Sequence, residues 1–221
     1  MRTLTFGRAA DDALGQAMAA DPRIIVMGED VPLLRRELLV RCGPRRVRGT
    51  PISESAFLGA GVAAAMAGMR PVVELYMVDF LAVAMDSLLN HAAKVAAFSG
   101  GRWAAPVVIR APCGGGYGDG GQHEQALWGG LAHIPGLAVV VPSTPADAGG
   151  LMLASLCHDV TPWYSNYRVG GFNRSAQHGR FSALSGPEVH EWRGWVVLEG
   201  CQRRARRRCG NGGGPGSPSA T

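Results

Sequence analysis

The feature that most constrains the fold is an alternation of short β-branched runs with longer alanine-rich stretches, which fills roughly the first 160 residues. The β-branched runs span residues 24–27, 71–75, 106–109 and 137–141, and glycine or proline bounds each of them. Short, continuously apolar runs of this kind are typical of strands that are buried on both faces of a parallel sheet.

Stretches of helical length separate the runs, at residues 8–20, 55–67, 79–97 and 145–156. The alternation therefore predicts an α/β fold, a doubly wound and mostly parallel sheet with helices on both faces. In such sheets ligands bind beyond the carboxyl ends of the strands.

Charge is distributed unevenly along the 221 residues, whose formal net charge is +5. Residues 163–221 hold 9 Arg and 3 Glu, a balance of +6, whereas residues 1–162 have a balance of −1. Binding of nucleic acid would rest on that tail alone, and we do not expect it.

Membrane and secretory signals are not evident. No apolar run reaches the roughly 20 residues of a membrane helix, and the N-terminus lacks the apolar core of a secretory signal, so we expect a cytoplasmic protein. The cysteines have neither C-x-x-C nor zinc spacing, which predicts free thiols and no metal site. They are Cys42, Cys113, Cys157, Cys201 and Cys209.

Four segments indicate a specific chemistry. They are GED at residues 28–30, TPISE at 50–54, GMRPVVELYMVDF at 68–80, and QH at 122–123 with HIPGLAVVVPSTPADA at 133–148. Over residues 1 to about 162 they resemble the β-subunits of the thiamine-diphosphate-dependent pyruvate, branched-chain and acetoin dehydrogenases.

The resemblance implies a transketolase-like pyrimidine-binding domain and a heterotetramer with an α-subunit. Thiamine diphosphate would lie between the subunits, with magnesium supplied through the α-subunit. The family also implies pairing between β-subunits, contact with a lipoyl acyltransferase core, and oxidative decarboxylation with acyl transfer to lipoyl. The choice among the substrates stays open.

Glu54 has the most specific implied role. In the family this glutamate hydrogen-bonds the ring nitrogen of the cofactor's aminopyrimidine and so sets its tautomer. The alternative is a glutamate that begins a helix, where the helix dipole favours a carboxylate.

Phe80 matches an aromatic residue that packs on the aminopyrimidine, although a core phenylalanine at a helix start is the plainer interpretation. Glu29 and Asp86 match acidic positions of a tunnel that joins two active sites in the family. Solvated or salt-bridged side chains account for both equally well.

His123 matches the active-site histidine of the β-subunits, a residue type suited to proton transfer near neutrality. The family usually reads QHSQ, whereas Glu124 follows the histidine here. We expect its carboxylate either to favour the protonated histidine or to obstruct the lipoyl arm.

Two glycine motifs have other interpretations. The G-x-G-x-x-A pattern at residues 59–64 falls inside a predicted helix, where small residues allow close packing. The GDG at residues 118–120 resembles the start of a magnesium–diphosphate motif, but the asparagine that completes the motif is missing. This predicts that the α-subunit anchors the diphosphate.

Residues 163–221 have no family match and predict an irregular, basic, glycine-rich tail. The family continues with P-V-V-F and a second α/β domain where this chain reads Pro162-Trp163-Tyr164. A one-nucleotide shift would recode this stretch toward V-V-F, so we hypothesise a frameshift at about Pro162. We expect no turnover from the chain alone. The alternatives are a non-catalytic protein that binds an α-subunit, and a protein that binds nucleic acid through the tail.

Overall fold

A six-stranded parallel sheet forms the centre of the computed structural model, which describes residues 2–114, 118–157, 161–167 and 179–181. Its strand order is β3-β2-β4-β5-β7-β6. The strands are β2 (Ile24–Gly28), β3 (Val47–Gly49), β4 (Arg70–Glu74), β5 (Val108–Cys113), β6 (Leu137–Val140) and β7 (Thr161–Tyr167). Two short strands, β1 (Arg2–Leu4) and β8 (Gly179–Phe181), pair antiparallel outside this sheet.

Helices cover both faces of the sheet, as the predicted fold class requires. They are α1 (Phe6–Ala20), α2 (Val31–Leu34), α3 (Arg36–Cys42), α4 (Glu54–Met66), α5 (Val95–Phe98), α6 (Trp128–Leu131) and α7 (Pro145–Cys157). Successive strand residues point to opposite faces. Val26 and Val72 therefore pack with α1, α3 and α7, whereas Ile25 and Val73 pack with α4.

The stretch predicted as one helix over residues 79–97 consists of three short helical pieces, so that prediction is wrong. A 3₁₀ helix spans Val78–Ala84, a π-helix spans Ser87–Ala92, and α5 follows. Val78, Leu81 and Ala84 are the buried residues of the first piece. Every third residue faces the core there, which matches a helix that completes a turn in about three residues.

Strand β7 crosses residue 162, the boundary predicted from the sequence. Trp163 pairs with Ile109 of β5 on one side and with Val139 of β6 on the other. The run Trp163–Tyr167 contains polar residues, so the sequence alone did not indicate a strand between two others. Apart from residues 163–167 and 179–181, the predicted tail and the consequences of a frameshift lie outside the described residues.

Cysteine chemistry differs in part from the prediction. Cys42 and Cys113 are not part of a disulfide, as expected. Cys157, the last residue of α7, takes part in a disulfide, so the prediction of free thiols throughout is wrong. Pairing requires that two cysteines approach within a few ångströms, which spacing along the chain does not reveal.

None of the helices in the described part of the chain combines the length and apolarity needed to cross a membrane.

Close packing of α4 on the sheet accounts for the G-x-G-x-x-A pattern. A Cβ atom added to Gly61 would lie 2.4 Å from Cγ2 of Val73 in β4. The glycine thus lets the helix approach the strand more closely than alanine would allow, as the sequence predicted.

We predict that Gly61→Ala destabilises the protein by about 1–3 kcal/mol, since overpacking against Val73 outweighs the gain in helix propensity. Urea denaturation of the full chain measures the effect. Gly7→Ala is the matched control, because an added Cβ at that helical glycine meets nothing within 4 Å. Equal stabilities of the two variants would show that the close approach of Gly61 to Val73 does not affect the stability of the fold.

Four charged side chains form a buried group between the sheet and the first helices. Glu74 ends β4, Arg110 lies beside it on β5, and both are 1% exposed. Arg35, between α2 and α3, donates to both oxygens of Glu74 at 2.8–3.0 Å. Asp11 of α1 accepts from Arg110 at 2.8 Å and from Arg35 at 3.2 Å. Two acidic and two basic side chains thus pair with one another. We call these four residues the buried quartet.

Tyr76 extends the buried quartet, because its hydroxyl donates to Oε2 of Glu74 at 2.7 Å. Burial opposes ionisation of Glu74, but Arg35 and Arg110 outweigh it and hold the pKa at about 2. Burial, and then the charge of Glu74, raises the pKa of Tyr76. The carboxylate of Glu74 is thus ionised at neutral pH.

We predict that the buried quartet makes stability fall with acid. The folded pKa of Glu74 is about 2 and its ordinary value is 4.5, so its contribution is complete above pH 4.5 and lost as the pH falls toward 2. Glu74→Gln should reduce the free energy of unfolding at pH 7 by about 3 kcal/mol or more. Urea denaturation between pH 7 and 3 measures both effects.

Glu37→Gln is the control for that experiment, because Glu37 forms an exposed pair with Arg8. Its loss should cost less than about 1 kcal/mol. An acid dependence unchanged in Glu74→Gln would contradict the assignment to Glu74.

Candidate active site

Four of the five predicted site residues lie at one edge of the sheet, beyond the carboxyl ends of four adjacent strands. Glu29 directly follows β2, and Glu54 begins α4 after β3. Phe80 lies in the 3₁₀ helix after β4, and His123 follows β5. Because all these strands are parallel, the segments that follow them emerge at the same edge, where ligands bind in such folds.

Glu54 has a buried side chain without a protein partner. It is 8% exposed, and its carboxyl group forms no hydrogen bond or ion pair within the described part of the chain. Its place in the first turn of α4 suits the helix dipole. Ser53 is the N-cap and makes no side-chain capping bond. The carboxyl oxygens are not fully enclosed, unlike those of Asp79, so the group is open to a bound molecule at this edge of the sheet.

Glu29 lies close enough to Glu54 for their charges to interact. Burial raises the pKa of Glu29, and the negative charges of Asp30 and Glu54 raise it further. The end of β2 and the start of α4 therefore bring two acidic groups within electrostatic range of each other. This arrangement favours the protonated form of Glu29.

Phe80 and His123 are in direct contact. Their ring centroids are 5.3 Å apart and their planes meet at 82°, an edge-to-face arrangement. Both side chains are half-buried. The structure thus brings together two residues that are 43 positions apart in the sequence.

Three further polar groups in this region are buried and, among the described residues, have no hydrogen-bond partner. They are Oγ1 of Thr50, both carboxyl oxygens of Asp79, and Nδ1 of His123. Orphaned buried groups are rare in folded proteins and indicate a ligand or water. An aminopyrimidine, which is a flat ring edged by hydrogen-bonding nitrogens, fits a set of orphaned polar groups beside an aromatic side chain.

Sequence reasoning missed Thr50 and Asp79. Thr50 opens the TPISE segment, and Asp79 is a lone acid in the apolar stretch of residues 77–81. The apolar neighbours of Asp79 were the signal that could have identified it, since a charged residue in an apolar stretch requires a partner.

Asp86 stands apart from this group. Its side chain is 74% exposed, accepts from Nδ2 of Asn90 at 2.8 Å, and lies 3.7 Å from Nδ1 of His91. Its role in a tunnel with Glu29 stays a prediction. Within the described residues, no cluster of three metal-ligating side chains occurs.

Two exposed apolar side chains flank the site. Ile52 is 74% exposed and lies in the TPISE segment, and Val83 is 58% exposed and follows Phe80 by three positions. The hydroxyl of Ser55 donates to the carbonyl of Val83, which holds the two segments together. We call Ile52 and Val83 the apolar rim.

Comparison with known proteins agrees with this geometry. The family model of the transketolase pyrimidine-binding domain matches residues 2–164. Among solved structures, an inactive β4 tetramer of a split-gene transketolase superposes with a TM-score of 0.62 at 18% identity, over 76% of this chain and 52% of that chain. At that identity the likeness concerns the fold.

Curated relatives are dehydrogenase and oxidoreductase β-subunits. The pyruvate dehydrogenase E1 component subunit beta of Rhizobium meliloti is 43% identical over 71% of this chain and 35% of its own length. The acetoin:2,6-dichlorophenolindophenol oxidoreductase subunit beta of Cupriavidus necator is 39% identical over 70% and 50%. The 2-oxoisovalerate dehydrogenase subunit beta of Bacillus subtilis is 38% identical over 71% and 50%.

The chain thus spans between about a third and a half of the length of these relatives. With a family model that covers most of the chain, it belongs to the transketolase pyrimidine-binding domain family and is similar to the β-subunits of the pyruvate, branched-chain and acetoin dehydrogenases.

Proposed function

We propose that this chain supplies the aminopyrimidine-binding half of the active site of a thiamine-diphosphate-dependent 2-oxo acid dehydrogenase. The observation that carries the proposal is the buried carboxyl group of Glu54, which has no partner among the described residues. It lies at the ligand-binding edge of the sheet. When bound, the cofactor supplies the nucleophilic carbon that permits loss of carbon dioxide from a 2-oxo acid.

Each residue of the site then has a defined task. In the assembled site Glu54 would share a proton with a ring nitrogen of the cofactor, and Glu29 lies within electrostatic range of Glu54. Phe80 offers an apolar surface to the ring. His123, held against Phe80, is the proton-transfer group directed at the substrate and the lipoyl arm.

An α-subunit completes the site in this proposal. The apolar rim exposes Ile52 and Val83 beside Glu54, which is the kind of surface that a partner covers. Magnesium and the diphosphate group are held through that subunit. A lipoyl acyltransferase core and a second β-subunit are further proposed partners, and the relatives' names support only the part of a β-subunit in a larger enzyme. The bacterial relatives favour a cytoplasmic location, although rice and Arabidopsis relatives are named mitochondrial.

Titration of the full chain with thiamine diphosphate and Mg²⁺, with and without the α-subunit of a bacterial pyruvate dehydrogenase, tests the proposal. Calorimetry should detect cofactor binding with the α-subunit present and little without it. Reduction of a lipoyl domain by pyruvate, 2-oxoisovalerate or acetoin then identifies the substrate. Capture of the α-subunit without cofactor binding would favour a non-catalytic binding protein instead.

We predict that Glu54→Gln lowers turnover of the assembled enzyme by at least about 100-fold, because the amide does not share a proton as the carboxyl group does. The matched control is Glu37→Gln, which removes an exposed carboxylate that pairs with Arg8 rather than with a residue of the site. Circular dichroism checks that both variants fold. Near-normal turnover in Glu54→Gln would refute the role assigned to Glu54.

We predict that His123→Ala separates binding from chemistry. Cofactor affinity should change by less than about threefold, while lipoyl acylation falls by about 100-fold or more. Phe80→Leu should do the opposite, weakening cofactor affinity because the aromatic surface is lost. A single-turnover acylation assay beside calorimetry measures both, and equal effects of the two variants on both quantities would contradict separate roles.

A further inference from the structure

The segment that presents His123 is tied to itself by backbone hydrogen bonds. The N–H of Gly114, just after β5, donates to the carbonyl of Gln125 at 3.0 Å. The N–H of His123 donates to the carbonyl of Gly120 at 3.3 Å. The bond between Gly114 and Gln125 brings the two ends of the loop together, and His123 lies two residues before Gln125.

The side chain of Glu124 folds back onto this loop. Its Oε1 accepts hydrogen bonds from the N–H groups of both Gly118 and Asp119, the latter at 3.2 Å. Gly118 and Gly120 have φ values of 91° and 79°, in the left-handed region. Successive N–H groups that converge on one anion form a nest. The residues that resemble a diphosphate motif in the sequence thus already bind an anion, and that anion belongs to the chain.

We propose that Glu124 is a positioning residue that holds His123 in edge-to-face contact with Phe80. The consequence for catalysis rests on the function proposed above, whereas the consequence for the loop does not. Glu124 is the immediate neighbour of His123, so fixing its side chain to residues 118 and 119 restrains the backbone of the histidine from both sides. A glycine-rich loop without such an anchor has more conformations to lose when the histidine is placed.

The hydrogen bonds of the Glu124 carboxyl group support this role. Its Oε1 is bonded to the loop backbone, whereas obstruction of a lipoyl arm and an effect of its charge on His123 stay predictions. The replacement of the family's usual serine by glutamate therefore adds a local anchor at this position.

Amide exchange and NMR on the full chain test the proposal. Glu124→Ala should speed exchange of the Gly118 and Asp119 amides by about tenfold or more, since two hydrogen bonds to a charged acceptor are lost. The ring-current shift of His123 by Phe80 should shrink in the same variant. Glu124→Gln retains an acceptor oxygen and should restore both readouts in large part. Glu37→Ala, which also removes one glutamate, should change neither.

Two outcomes would overturn the proposal. One is an unchanged His123 signal in Glu124→Ala, and the other is an equal loss in Glu124→Gln and Glu124→Ala, which would assign the effect to charge. In the enzyme assembled with an α-subunit, Glu124→Ala should lower kcat for lipoyl acylation by about tenfold with KM for the 2-oxo acid unchanged, and Glu124→Gln should rescue it. If even the unmodified assembly has no turnover, the function proposed above fails, and the exchange and NMR results still decide the role of Glu124.

Discussion

The arrangement of the site depends on one interaction, the pairing of the ionised carboxylate of Glu74 with Arg35 and Arg110. This carboxylate is buried at the end of β4, and hydrogen bonds from the two arginines and Tyr76 compensate for its burial. Arg35 lies in the segment that follows Glu29, and Tyr76 leads into the 3₁₀ helix with Phe80. One matched group of charges thus fixes the starting points of two segments that form the site. Breaking it would release both, because an unpaired buried charge is far costlier than an exposed one.

Polar groups at the carboxyl edge of the sheet divide into satisfied and unsatisfied ones. The buried quartet and Glu124 have their hydrogen bonds within the chain. Glu54 and Asp79 do not, among the described residues. The satisfied groups therefore build the scaffold, and under the proposed function the unsatisfied ones are those that a bound molecule would complete. Within one domain, the same residue type serves both purposes, and only the presence of partners tells them apart.

Much of the fold followed from local patterns. Runs such as residues 24–27 and 71–75 became β2 and β4 because continuous β-branched sequence suits a strand covered on both faces. The prediction of one helix after Asp79 was wrong because burial there repeats every third residue. The sequence pattern did not distinguish this period from that of an α-helix. Strand β7 was missed because its neighbours β5 and β6, rather than its own polar sequence, hold it in the sheet.

For the site, the sequence by itself determined the candidate segments, since GED, TPISE, the DF pair and the QH pair resemble a known family in order and spacing. The structure showed that each of them follows a strand of one parallel sheet, and parallel strands end at one edge. Only the tertiary structure decided which of those side chains meet. It placed Glu29 beside Glu54 and Phe80 against His123, and it left Asp86 exposed. It also turned Glu124 inward onto its own loop. The physical reason is that sequence spacing fixes where a side chain emerges, whereas contact and pairing depend on distances between elements far apart in the chain.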